Sequence, residues 1–225
     1  MPLTLNELYT QTKHQYHLSM IAGETGIDHI MNWVYVSEDS STHDFLKGGE
    51  LIITTGINCQ DEASLYDFIE TMIKSHTCGM ILNTGKYILS EHITDSIKAL
   101  CDKHNYPLIE MPWKVHIYDT TRDYYNKIFM DTQKDTSITD AFLSFIEEDS
   151  LHHYDALRIL EDNHFEKEDC YEIALMKCNK KAISDDLKLR LLFLMESYIK
   201  LNDLDIHIAF YKNHFCSFFM TWKKN

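Results

Sequence analysis

The residues best suited to chemistry gather around one short stretch, FLKGGELIITTG at residues 45–56. It holds three of the seven glycines in the chain (Gly48, Gly49 and Gly56), the carboxylate of Glu50 and the adjacent hydroxyls of Thr54 and Thr55. Similar polar groups recur at Ser37 and Glu38, at Asn83, Thr84 and Gly85, and at Glu110. Hydroxyls and backbone amides of this kind hydrogen-bond small polar molecules, and carboxylates accept from N–H donors. Glu38, Glu50, Thr54, Thr55, Gly56, Gly85 and Glu110 are therefore candidate ligand-binding residues, with Gly56 leaving room for the ligand. Gly48 and Gly49 read as a structural turn into a central strand, where a side chain would obstruct neighbouring backbone. A plainer reading stands beside this one, in which the glycines serve only a tight turn and a strand exit.

Catalysis by the same groups would use Glu38, Glu50 or Glu110 as acid or base. Its usual companions are missing: there is no GxSxG elbow, no P-loop and no GxGxxG opening a helix. Cys59 and His43 flank the stretch, but a nucleophilic pair needs its two members within hydrogen-bond reach, and a lone loop cysteine is usually inert. No catalytic residue is assigned. Thirteen histidines occur without an HExxH pattern and six cysteines without a CxxC pair, so neither a metal site nor a cofactor is expected. Scattered cysteines also suit the reduced thiols of a cytoplasm better than a disulfide framework.

The elements that must position these groups follow from hydrophobic spacing. Thr4 and Glu7 form a capping box for a first helix. Strands are expected at 17–22 and 31–37, with a turn at Gly23 and Gly26 between them. Three short, nearly continuous apolar strands at 51–53, 80–82 and 108–109 then recur about every 28 residues, the length of a βαβ unit. Between them, Leu65, Phe68, Ile69, Met72 and Ile73 share one helix face, as do Ile93, Ile97, Leu100 and Cys101. The fold class is α/β, with a mainly parallel sheet flanked by helices. Ligand crevices in such sheets open beyond the carboxyl ends of the strands, where the candidate residues lie.

Charge narrows the partners. A net charge of −14 argues against holding DNA through its phosphates, and the basic run at 177–181 is small. No apolar run suits a membrane span and no basic-then-apolar leader opens the chain. Past residue 112, Val115, Tyr118, Tyr125, Ile128 and Phe129 can form one apolar stripe, and Ala141, Phe142, Phe145 and Ile146 a second. Two stripes on a linking helix suggest a homodimer, although either could cover its own domain. Residues 131–169 carry 12 acids against three bases with no glycine or proline, which reads as a helical acidic connector. Beyond it come a strand at 170–178, a capped helix with Leu187, Leu191, Leu194 and Met195 on one face, and a hairpin turning at Lys212, Asn213 and His214, a partial second α+β domain.

Five blocks, LTLNELY, AGETGIDHIMNWVYVSED, FLKGGELIITTG, GMILNTGKY and HNYPLIEMP, stand in the order and spacing of the amino-terminal domain of the PucR family, which residues 3 to about 125 resemble. The resemblance implies a non-catalytic module of a cytoplasmic transcription regulator that senses a small metabolite. The family name suggests a purine catabolite such as a ureide as the effector, with Glu110 accepting from its N–H groups. It divides the chain into a sensor domain at 1–125, a connector at 126–165 and the start of a GGDEF-like domain at 166–225. No GGDEF text and no helix-turn-helix is present, so nucleotide cyclisation is not expected and DNA would be read by a domain outside this chain. The GGELIITTG block also resembles, more weakly, a turn of the Mur ligase amino-terminal domain. Two alternatives remain open: an enzyme using the three carboxylates on a Mur-ligase-like scaffold, and a module that only dimerises.

Overall fold

The computed structural model describes residues 3–59, 61–146, 153–165, 170–177, 184–211 and 214–221. The chain divides into two compact units, one of residues 3–129 and one containing residues 130–225.

In the first unit, α1 (Leu5–Thr12) begins at the expected capping box. The Thr4 hydroxyl accepts from the Glu7 N–H at 3.1 Å, and the Glu7 carboxylate accepts from the Thr4 N–H at 2.8 Å. Five strands follow: β1 (Ser19–Ala22), β2 (Trp33–Val36), β3 (Glu50–Thr54), β4 (Gly79–Thr84) and β5 (Leu108–Pro112). Their spatial order is β1-β5-β4-β3-β2, with β2 to β5 parallel and β1 antiparallel at the edge. Helices α2 (Glu62–Lys74) and α3 (Asp95–Lys103) make the β3–β4 and β4–β5 crossovers.

Both faces of the sheet are covered, which is why its central strands read as unbroken apolar runs. Ile52, Met80, Leu82 and Leu108 join Phe68, Ile69, Ile97 and Leu100 of α2 and α3 in one core. Leu51, Ile53, Ile81, Ile109 and Met111 join Leu5, Leu8 and Tyr124 in the other.

Apart from Val115, which precedes it, the two stripes expected past residue 112 lie on a single helix, α4 (Ile117–Ile146), and each divides between core and solvent. Val115, Tyr125 and Ile128 pack on the second core, while Tyr118 and Phe129 are 70% and 59% exposed. At about 100° per residue, Tyr125 and Phe129 both project within about 20° of Tyr118, so the three aromatics share one side of the helix and differ in burial along its length. Tyr125 is the one held to the sheet, its hydroxyl donating to the Val34 carbonyl at 2.9 Å.

The second unit holds α5 (His153–Glu161), β6 (Cys170–Lys177), α6 (Asp185–Leu201), β7 (Ile206–Tyr211) and β8 (His214–Thr221). Its three strands form an antiparallel sheet in the order β6-β8-β7. Phe142 of α4 stacks on Phe218 of β8 at 4.5 Å and anchors a core with Ile138, Ala141, Ala156 and Leu160, whereas Phe145 and Ile146 remain partly exposed. Ser184 caps α6 as expected, and of the face named from the sequence Leu191 and Met195 are half-buried. Leu187 and Leu194 are exposed and Ile199 is buried, because the helix meets its sheet beside Ile206 and Ile208 of β7. The turn residues Lys212 and Asn213, and the basic stretch 178–181, lie outside the described residues. Among the described residues no helix is long and apolar enough to cross a membrane.

Candidate functional site

Parallel register aligns the carboxyl ends of β2 to β5, pairing Val36 with Ile53, Thr54 with Leu82 and Thr84 with Pro112. The loops that leave these ends therefore share one edge of the sheet. Glu38, Thr54, Thr55, Gly56, Gly85 and Glu110 all belong to it or to the strand residues just before it.

At the β3 end the expected ligand donors are already engaged. The Glu38 carboxylate accepts from the hydroxyls of Thr55 (2.8 Å) and Thr54 (3.1 Å). It also accepts from the amides of Gly56 (3.0 Å), Thr55 (3.1 Å) and Ile57 (3.4 Å). Successive N–H groups aimed at one point form an anion-holding nest, and Gly56 shapes it by adopting φ +68°. The room beside Gly56 is not left for a ligand: a Cβ there would meet the Ile88 side chain at 2.2 Å. Ile88 is wholly buried, so that space belongs to the core.

The neighbouring loop is held by its own polar groups. Ser37 donates to the Asp39 carbonyl at 2.9 Å, and the Asp39 carboxylate accepts from the Ser41 N–H at 2.9 Å and from the Asn58 amide at 3.0 Å. Hydrogen bonds from Ser41 first, then Asn58, hold this carboxyl below its ordinary range. Cys59 and His43 do not form a nucleophilic pair. The thiol points at the Glu38 carbonyl at 3.7 Å, and burial pushes it up to about 11. His43 bonds the Ser40 carbonyl at 2.9 Å and lies 3.2 Å from Asp44.

Glu50 stands at the opposite end of β3. Its buried carboxylate accepts from the amides of Lys47 (2.7 Å) and Gly48 (2.9 Å), closing the turn that enters the strand. It is a turn clamp remote from the carboxyl edge, which corrects its place among the candidate ligand residues. The turn glycines also act differently from the expectation. A Cβ on Gly48 would meet nothing nearer than 3.6 Å, so neighbouring backbone does not require glycine. The requirement is conformational: φ is +95° at Gly48 and +81° at Gly49, where side chains are disfavoured.

The β4 and β5 ends are organised by side chains reaching between strands. Thr84 donates to Glu110 Oε1 at 2.6 Å, and Glu110 Oε2 has no hydrogen-bond partner among the described residues. Asn83 is buried and donates to the carbonyls of Pro112 (3.1 Å), Met111 and Val115 (both 3.3 Å), fixing the exit from β5. Gly85 is exposed, with φ +111°, and its N–H bonds the Ile88 carbonyl at 2.8 Å. Sequence reasoning missed the group beside it. The Lys86 ammonium lies 4.8 Å from the Trp113 ring and 5.0 Å from the Tyr87 ring, and the two rings meet edge to face at 5.6 Å. A lysine and two aromatics directly past two neighbouring strand ends were the available signal.

The first unit is thus a mainly parallel α/β module whose carboxyl edge is built from interlocked polar loops, one end closed around Glu38 and the other bearing exposed cationic and aromatic groups. Residues 7–128, more than half of the chain, match PucR, the Purine catabolism regulatory protein-like family, and the chain belongs to that family. It is 29% identical over 102 residues to the Purine catabolism regulatory protein of Bacillus subtilis (strain 168), a match covering 45% of this chain and 19% of that protein. The chain therefore matches about a fifth of the length of that relative. No solved structure matches it. Membership of this family points to a regulatory role.

Proposed function

We propose that this chain is the effector-sensing, non-catalytic part of a cytoplasmic PucR-type transcription regulator. DNA contact would fall to a domain outside this chain. The observation that carries the sensing role is the Thr84–Glu110 pair at the carboxyl ends of β4 and β5, with one carboxylate oxygen committed to Thr84 and the other available to an N–H donor. A purine catabolite of ureide type supplies such donors. The nest at Thr54, Thr55 and Gly56 contributes by shaping the edge, since its donors are spent on Glu38. The exposed Tyr118 and Phe129 on one face of α4 favour assembly as a homodimer. The β6–α6–β7–β8 order resembles the opening of a GGDEF-like domain.

A thermal-shift screen of purine-catabolic intermediates tests this reading. An effector at about 100 times its dissociation constant stabilises the fold by about 2.7 kcal/mol, a rise of several degrees in Tm. Glu110→Ala is expected to abolish that shift. A Thr54→Val, Thr55→Val pair is expected to lower the starting Tm while leaving the shift intact. If no intermediate shifts the wild type, the purine effector is wrong.

A further inference from the structure

We propose that Lys86, Tyr87 and Trp113 form a binding subsite for a small, flat organic anion, such as an aromatic carboxylate, at the carboxyl edge of β4 and β5. The subsite rests on the sensing role above and specifies the chemistry of the ligand.

Position comes first. Lys86 and Tyr87 follow Gly85 directly after β4, and Trp113 follows Pro112 at the end of β5, the neighbouring strand. Thr84 pairs with Pro112, and the Trp113 N–H donates to the Thr84 carbonyl at 2.7 Å, so the two loops are tied together at their roots. Gly85 brings them close, since a Cβ there would lie 3.5 Å from Trp113 Cβ. Open parallel sheets bind ligands at this edge.

Charge comes second. The chain carries 35 acids against 21 lysines and arginines, and several exposed cations pair with a carboxylate. Lys74 pairs with Glu70, Lys98 with Asp95 and Arg122 with Asp119. Lys86 is exposed and has no acidic partner among the described residues; the two ring faces hold its ammonium instead. Rings attract an ammonium without neutralising it, so the positive charge stays available to a ligand. They also restrict a long, mobile side chain beforehand, which lowers the ordering cost of binding. Lys114, next to Trp113 and exposed, adds a second cation with no acid partner among the described residues.

Shape comes third. Trp113 is 38% exposed, leaving part of its indole free beside the ammonium. A flat ring bearing a carboxylate satisfies both features, with its charge toward Lys86 and its π-surface against Trp113. A neutral ring forfeits the first contact and a puckered anion the second. Two lysines are too few, on a chain of charge −14, to hold a nucleic-acid backbone.

The test is an NMR titration of the full 225-residue chain, following the indole N–H of Trp113 with that of Trp33 as internal reference. Three probes separate the contributions: nicotinate (flat anion), nicotinamide (the same ring, neutral) and cyclohexanecarboxylate (a non-flat anion). Nicotinate is expected to move the Trp113 signal saturably below about 10 mM, with the other two at least about fivefold weaker. Lys86→Met keeps most of the aliphatic stem and is expected to weaken nicotinate about tenfold while leaving the Trp33 signal in place. Equal binding of nicotinamide, unchanged affinity in Lys86→Met, or no saturable movement of Trp113 overturns the subsite. An effector from the thermal screen whose shift survives Lys86→Met leaves the sensing role standing without this subsite. Selective nicotinate binding with no effector in that screen sustains the subsite and removes the purine reading.

Discussion

Glu38, two residues beyond β2, and Thr55, one residue beyond β3, are joined at two points: the carboxylate accepts from the Thr55 hydroxyl at 2.8 Å and from its amide at 3.1 Å. The pair locks two parallel strands at their carboxyl ends and fills the turn with an anion supplied by the chain itself.

Removing that anion strands several donors at once. Glu38→Ala is expected to cost about 3 kcal/mol, read as a fall of several degrees in Tm, and added formate or acetate is expected to restore part of it. Glu38→Gln, which brings an NH2 group into a ring of donors, is expected to fall between wild type and alanine. A variant as stable as wild type would show that the nest contributes nothing.

The two glycine requirements differ in kind and predict different rescues. Gly48→Ala meets no atom nearer than 3.6 Å, so its cost is the backbone strain alone, about 1–2 kcal/mol. Gly56→Ala adds a collision with Ile88 at 2.2 Å and is expected to cost more. Ile88→Ala destabilises by itself, yet combined with Gly56→Ala it is expected to lose less than the sum, by at least about 0.5 kcal/mol. Strict additivity in denaturant melts would contradict the contact.

In the second unit, Glu196 and His207 line the same small cavity and respond to pH in opposite senses. Burial, aided by the Asp135 carboxylate, raises Glu196 from 4.5 to about 7. The folded state then binds more protons than the unfolded chain between those values, so this group's contribution to stability falls as pH rises. Burial lowers His207 from 6.5 to about 4, so its contribution grows as pH rises through that window. In the wild type the two slopes offset each other over their shared range. Glu196→Gln is expected to leave stability rising with pH, and His207→Asn to leave it falling. Urea melts at a series of pH values distinguish these slopes, and flat profiles in both variants would refute the assignment.

Assembly is tested at α4. The wild type is expected to sediment as a dimer at tens of micromolar, and a Tyr118→Asp, Phe129→Asp pair as a monomer with the same far-ultraviolet spectrum. A monomeric wild type would rule the dimer out.

Much of the first unit was legible because its determinants are local. Apolar runs at 51–53, 80–82 and 108–109, separated by stretches of helical period, specify buried parallel strands with crossovers, and Thr4 with Glu7 marks a helix start within four residues. The same reasoning placed Thr54, Thr55, Gly85 and Glu110 towards one edge, although β3 and β5 run on far enough to include Thr54 and Glu110 as strand residues.

What each of those groups touches was decided by the tertiary structure. Glu38 reaches Thr55 across 17 positions, Thr84 reaches Glu110 across 26, and Ile88 fills the space beside Gly56. Such pairings depend on strand register and on the paths of loops that meet only after the sheet has formed, and no periodicity in the chain encodes them. Glu50 shows the limit most plainly. Its type and neighbours suggested a ligand carboxylate, but the strand's direction in the sheet put it at the end where the Gly48 and Gly49 turn needed an acceptor. How far each residue of α4 is covered was settled likewise by the sheet beneath it: Tyr118, Tyr125 and Phe129 project from one side of the helix, yet of these Tyr125 packs on the core and bonds the Val34 carbonyl, while Tyr118 and Phe129 are left to solvent.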